Sequence, residues 1–232
     1  MSIASDSPEN CLIVCSQSLE GVPGHVAAAI EDSFVIAVDG GLSHFKKIKL
    51  KPALWVGDGD SASKTDLKKL KCRKVKLPRA KDYSDLEYAL HLAGKAFLEG
   101  EWEGDIVLLG AQGGRFDHDI GALLSVQHWM EDMARATGVA RCPGVVSYGP
   151  HGMWLAVMNE VAFHQPKGAP FSVLALGRGP RLTISGARYK LKAGALDHAS
   201  MGLSNEGLGK TVLVRAHQTA NPVPVFVLFP TE

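Results

Sequence analysis

Two aspartates separated by one glycine, Asp58 and Asp60, close a short apolar run in the stretch Leu54-Trp55-Val56-Gly57-Asp58-Gly59-Asp60-Ser61. Read as a buried strand ending at its carboxyl edge, the run delivers two carboxylates to the place where open α/β sheets bind ligands. Residues two apart in an extended chain point the same way, so both carboxylates fall on one face. Like charges about 4 Å apart repel by roughly 4 kcal/mol at an effective dielectric near 20. That repulsion asks for a cation between them, and an all-oxygen site suits Mg²⁺. A solvated turn uses the same residues, so this stretch alone leaves both readings open.

Further candidates follow the neighbouring apolar runs. Asp39-Gly40-Gly41 ends the run at 34–38. The glycines let backbone N–H groups approach a ligand, and a helix starting near Leu42 favours anions at its N-terminus; any tight strand-to-helix turn uses such a pair as well. Lys81-Asp82-Tyr83-Ser84-Asp85-Leu86-Glu87 follows a short strand at 74–77. Ser84 and Glu87 make a capping box, and Asp85 and Glu87 complement the dipole of the helix they open. Asp82 precedes the cap and is less well explained that way. Gly113-Gly114-Arg115-Phe116-Asp117-His118 follows the run at 105–109. Arg115 offers phosphate a planar donor fork, or it pairs with Asp117 to hold the loop. His118 is a ligand-binding residue or a scaffold residue at a helix start. Several carboxylates, a basic fork and glycine turns, gathered on one sheet edge, are suited to metal-assisted phosphoryl transfer. The sequence contains neither a G-x-x-x-x-G-K-[ST] loop nor a G-x-G-x-x-G turn after its first strand, which excludes P-loop and dinucleotide-binding designs.

These residues need a scaffold of strands alternating with helices. Strands at 12–15, 34–38, 54–56, 74–77 and 105–109 are separated by helices near 25–30, after Leu42, after Ser63 and after Ser84. Leu86, Ala89, Leu90, Ala93 and Phe97 form one apolar helical face, and Leu123, Val126, Met130 and Met133 another. From about residue 145 only strand-like runs appear, at 153–158, 171–176, 181–185, 189–192, 211–216 and 223–229. The expected fold is an α/β domain over 1–145, doubly wound with a mostly parallel sheet, followed by an all-β sandwich over 146–232.

Composition sets the outer bounds. The chain of 232 residues is 46% hydrophobic and 21% charged, with a formal net charge of +1. No global field draws it to nucleic acid or an anionic membrane. Its four cysteines form no C-x-x-C pair. Residues 1–10 carry no basic n-region, and the apolar run at 11–15 is too short for a signal segment. These features fit a reduced, cytoplasmic protein without a membrane span.

In order, the Asp39, Asp58/Asp60, Lys81–Glu87 and Gly113–His118 motifs, with Gly202-Leu203-Ser204-Asn205-Glu206, resemble those of thiamine pyrophosphokinases over residues 35–207. The resemblance implies a homodimer with an α/β nucleotide-binding domain and a β-sandwich domain, the active site lying at the subunit interface. It implies transfer of the pyrophosphoryl group of ATP to the hydroxyethyl group of thiamine, with Mg²⁺, releasing AMP. By residue, it implies that Asp58, Asp60 and Asp85 hold Mg²⁺ and that Asp82 supports the site and orients the hydroxyl. Asp39, Gly40, Gly41, Gly114, Arg115, Asp117 and His118 would bind nucleotide. Ser204 and Asn205 would contact thiamine, and Tyr189 stands where eukaryotic members have a stacking tryptophan. Gly59 and Gln112 also depart from the family pattern. Rival readings are a pyrophosphokinase for a pterin-type alcohol, a metal-dependent phosphohydrolase, and a non-catalytic binding protein.

Overall fold

The computed structural model describes residues 7–20, 22–24, 26, 30–198 and 200–231. The chain divides into two compact units, residues 1–129 with 145–151, and residues 130–144 with 152–232.

The first unit is built on parallel strands β1 (Asn10–Val14), β2 (Ser33–Val38), β3 (Leu54–Gly57), β4 (Arg73–Lys76), β5 (Ile106–Leu109) and β6 (Val145–Gly149). Their order is β6-β5-β1-β2-β3-β4, every neighbouring pair parallel. The strands at the centre are covered on both faces, which is why β3 and β5 are apolar at every position. At the edge, β4 reads Arg-Lys-Val-Lys and is largely exposed, a charged border that discourages pairing with another chain. One face carries Leu12, Val14, Val35, Ala37, Trp55 and Leu109 in a single core cluster. Strand order runs outward from β1 to β2, β3 and β4 on one side and to β5 and β6 on the other, and this switch between β1 and β5 opens a crevice at the carboxyl ends of the strands.

Helices α1 (Phe45–Ile48), α2 (Lys64–Lys69), α3 (Asp85–Leu98) and α4 (Phe116–Thr137) connect the strands. The Ser63 and Ser84 hydroxyls cap α2 and α3, accepting from the N–H groups of Asp66 and Glu87. Both serines thus serve as N-caps, Ser84 at the position its spacing from Glu87 predicts. Ala89, Leu90 and Ala93 are buried where α3 packs on β2 and β3. The helix expected near Leu42 is instead a 3-10 turn, Asp39–His44, leading into α1. The helix expected at 25–30 lies outside the described residues except for Val26 and Ile30, both buried.

Strand β6 departs from the sequence expectation. Residues 145–151 group with the first unit, whereas the sandwich was expected from 146. Val145 and Ser147 are fully or almost fully buried while Val146 and Tyr148 are half-buried, so a polar residue interrupts the apolar run that marks the central parallel strands.

The second unit has two antiparallel sheets. One joins β12 (Asn205–Glu206), β9 (Pro170–Leu174), β14 (Val225–Pro230) and β7 (Gly152–Val157). The other joins β11 (Leu191–Gly194), β10 (Arg181–Ser185), β13 (Lys210–His217) and β8 (Glu160–Gln165). Phe171, Val173 and Val227 from the first share one core with Leu182, Ile184, Val212 and Val214 from the second. This is sandwich packing, with alternate residues of each strand turned inward. Among the described residues no helix is long and apolar enough to cross a membrane.

Candidate active site

A cleft of about 790 Å³ opens in the first unit, lined from the ends of β1, β2, β3 and β5, the start of α3 and one side of α4. Asp39, Asp58, Asp60, Asp85, Arg115, Asp117 and His118 all line it. Loops far apart in the chain meet there because each leaves the same edge of the sheet.

The Asp58/Asp60 pair is assembled by a different route from the one its spacing suggests. Strand β3 ends at Gly57, so strand alternation does not align the two carboxylates. Gly59 instead takes a φ of 79°, a left-handed conformation that favours glycine. This accounts for the small residue between the acids. Asp39 then fixes the loop. Its buried carboxylate accepts the Gly59 N–H through Oδ1 at 2.9 Å and the Ser61 N–H through Oδ2 at 3.2 Å. A Cβ on Gly57 would stand 2.7 Å from the Cβ of Asp39, so only glycine allows this approach. The Asp39 carbonyl also accepts the Trp55 indole N–H at 3.2 Å. Asp39, Asp58 and Asp60 each offer a carboxylate oxygen, and these atoms lie within 4.8 Å of one another.

Lys81 supplies the nearest positive charge. Its ammonium lies 2.9 Å from Asp85 Oδ1 and 3.8 Å from Asp58 Oδ2, almost buried between the two. Burial holds the Asp85 carboxyl above the ordinary range; the Lys81 hydrogen bond and charge pull it down, and Asp39 and Asp58 push it up again. Burial alone would lower the Lys81 ammonium, but the hydrogen bond and charge of Asp85, together with Asp58, leave it raised. Cys15, also in the lining, is pushed up to about 12, first by burial and then by the Asp85 charge. Its thiol is therefore neutral and unsuited to nucleophilic work.

At the other side of the cleft the Arg115 guanidinium forms a two-pronged pair with Asp117, with Nε to Oδ1 at 3.1 Å. Both side chains are exposed. The Asp117 carboxyl is held below the ordinary range by its hydrogen bond from Arg115. The Gly113 N–H donates to Asp119 Oδ2 at 3.2 Å, which shapes the turn, and Gly114 lies against the Gln17 side chain. Gln112, buried, donates to the Ser147 hydroxyl at 3.3 Å and so ties the end of β5 to β6. Gln17 and Asp119 lie outside the motifs, and Lys81 heads one of them without a role of its own there. Their roles come from contacts: Gln17 with Gly114, Lys81 with Asp58 and Asp85, and Asp119 with Gly113.

Not every candidate faces the cleft. Asp82 and Gly114 are exposed and absent from its lining, and Gly40 and Gly41, both buried, are absent from it as well. Gly41 is required by packing, because a Cβ there would stand 2.1 Å from the Val14 carbonyl oxygen. Tyr189, Ser204 and Asn205 belong to the second unit. Tyr189 was expected within a strand at 189–192, but β11 begins at Leu191 and the Tyr189 side chain is 57% exposed. Asn205 is buried. Its Oδ1 accepts the Tyr189 N–H at 3.0 Å and the Glu206 N–H at 2.8 Å, and its Nδ2 donates to the Tyr189 carbonyl at 2.7 Å. Ser204 is exposed and adopts a φ of 53°. Arg188 forms a bidentate pair with Glu206 and lies 5.5 Å from the centre of the Tyr189 ring.

Residues 27–137 match the family described as thiamin pyrophosphokinase, catalytic domain. Several solved structures share the fold across nearly the whole chain. Thiamine pyrophosphokinase from Bacillus subtilis is 18% identical with a TM-score of 0.72, over 97% of this chain and 100% of that one. Thiamin pyrophosphokinase from Candida albicans is 13% identical with a TM-score of 0.72, over 95% and 90% of the two chains. For the yeast enzyme the values are 15% and 0.68, over 98% and 88%. No curated protein sequence matches the chain.

Proposed function

We propose that this chain, whose residues 27–137 match the thiamin pyrophosphokinase catalytic-domain family, is an enzyme that transfers the pyrophosphoryl group of ATP to the hydroxyethyl oxygen of thiamine, giving thiamine diphosphate and AMP. The observation that carries the reading is the convergence of Asp58, Asp60 and Asp85 with the Arg115 loop around one cleft. The size of the cleft lies within the range usual for small-molecule sites.

The donor set fits Mg²⁺. Carboxylate oxygens from Asp39, Asp58 and Asp60 gather within 4.8 Å, and hard oxygen ligands suit that ion. Asp58, Asp60 and Asp85 are assigned to hold it, with Asp39 anchoring the loop that presents Asp58 and Asp60. Bound there, Mg²⁺ would offset the charge of the ATP phosphates. Lys81 keeps Asp58 and Asp85 together and offsets their repulsion. Arg115, with Asp117, His118 and the glycine turns at Gly40, Gly41 and Gly114, is assigned to the nucleotide. Asp82 is assigned to orienting the hydroxyl.

In the reaction the thiamine oxygen bonds to the β-phosphorus while the bridge from that phosphorus to the α-phosphate breaks. AMP leaves with the bridging oxygen, and the hydroxyl proton is released. Such a transfer needs alignment and charge neutralisation more than a strong base. Tyr189 offers an exposed aromatic face for the acceptor's flat ring, with Ser204 beside the segment that Asn205 holds.

The reading includes a homodimer with the active site at its interface. Phe116, Ile120 and Leu124, spaced four apart on α4, are exposed by 78%, 42% and 43%, and a second copy is the assigned cover for this stripe. It also places the enzyme in the cytoplasm, in keeping with four free cysteines.

Acceptor omission tests the reading. ATP with Mg²⁺ should be stable in the presence of the enzyme until thiamine is added. Steady ATP breakdown without an acceptor would instead indicate a phosphohydrolase, and a response to pterin alcohols but not thiamine would change the acceptor.

A further inference from the structure

The first unit contains a second cavity, of about 530 Å³, that shares no lining residue with the carboxylate cleft. Its floor is apolar. Leu42 and Phe45 belong to the core cluster beneath it, and Leu50 and Leu70 pack against that cluster. Its rim is basic, with Lys46, Lys51, Lys69 and Lys71 facing a single acid, Asp66. Lys46 occupies that acid at 3.2 Å. Lys51, Lys69 and Lys71 have no ion-pair partner among the described residues.

From this juxtaposition we infer that the cavity binds a small amphiphilic anion: an aryl or alkyl body carrying one terminal sulfonate, carboxylate or phosphate. Apolar walls with a few convergent charged groups are the composition of a small-molecule site, and the volume is sufficient for one. Three uncompensated cations at the mouth of a low-dielectric cleft focus a positive field there. Lysines in a helix's last turn complement its dipole, which accounts for Lys69 at the end of α2. It leaves Lys51 and Lys71 unexplained, because neither lies in a helix. The rim field repels thiamine, whose ring is cationic, and free metal ions. Inorganic phosphate satisfies the rim and leaves the floor uncovered. An anion with an apolar body satisfies both.

The probe is 8-anilinonaphthalene-1-sulfonate, titrated into the full chain with methyl signals followed by NMR. The proposal predicts shifts at Leu42, Leu50 and Leu70, and none at Leu86 and Leu124, which line the carboxylate cleft. The double variant Lys69→Glu/Lys71→Glu, altered only at exposed side chains, should bind the probe roughly tenfold more weakly and keep its pyrophosphokinase activity. Inorganic phosphate at equal concentration should leave the three methyl signals in place. Shifts at Leu86 and Leu124 instead, parent-like binding by the double variant, or phosphate alone matching the probe would each overturn the proposal.

Discussion

The two groups of candidate residues are built on opposite principles. In the first unit, Asp58, Asp60 and Asp85 stand at the wall of a cleft with more negative charge than Lys81 can balance. Such a cluster is costly to the fold and is suited to a cation and an anionic substrate. In the second unit, Asn205 turns its amide inward, holding the backbone of Tyr189 at both N–H and carbonyl. Polar groups engaged in this way rigidify a structure and offer less to a ligand. The comparison separates carboxylates left open to a ligand from an amide that positions its own neighbours. Sequence motifs present both kinds alike.

That difference predicts opposite outcomes for conservative changes. Asp60→Asn should lower kcat by at least about 100-fold, while the unfolding free energy stays within about 0.5 kcal/mol; Asp60 is exposed. Paired turnover and urea-melt measurements check both halves, and near-normal turnover would remove the acid from the site. Asn205→Ala should do the reverse. Leaving the Tyr189 and Glu206 backbone groups unpaired should cost about 2 kcal/mol of stability, read from the denaturant midpoint, with loss of activity following loss of fold.

Smaller effects sharpen the contrast. Tyr189→Ala should raise the KM for thiamine roughly tenfold with kcat preserved, since an aromatic contact contributes about 0.5–1.5 kcal/mol. Tyr189→Phe should restore the parent value, because the ring face is kept. Equal losses from both variants would assign the role to the hydroxyl. Asp117→Asn should have the least effect on stability. The folded-state pKa of Asp117 is depressed by Arg115, so its contribution is present above the ordinary carboxyl range and lost as pH falls through the depressed value. Both groups are exposed, and the small difference in Tm should vanish in high salt and at low pH.

The fold was legible where burial is two-sided. The runs in β1, β2, β3 and β5 are continuous and apolar because both faces of the sheet are covered. It was legible too in the runs at 153–158, 171–176, 181–185, 211–216 and 223–229, which correspond to β7, β9, β10, β13 and β14, and illegible where alternation is weak or pairing is short. In β8, Glu160-Val161-Ala162-Phe163-His164 alternates weakly, and β12 is two residues long, held by its register with β9. In the site, Asp39 and Asp58 were legible because they directly follow strands β2 and β3, which share one edge, and Asp85 because it opens the helix after β4. Its supporting residues were not. Nothing local to Asp39 announces that its carboxylate holds Gly59 and Ser61, 20 and 22 residues on. Nothing local to Lys81 announces that it bridges to Asp58.

The most direct test is product analysis with purified protein, ATP, Mg²⁺ and thiamine, resolving AMP from ADP. The account predicts AMP and thiamine diphosphate forming in equal amounts, as attack on the β-phosphorus requires. ADP appearing with thiamine monophosphate would place the attack on the γ-phosphorus and contradict it.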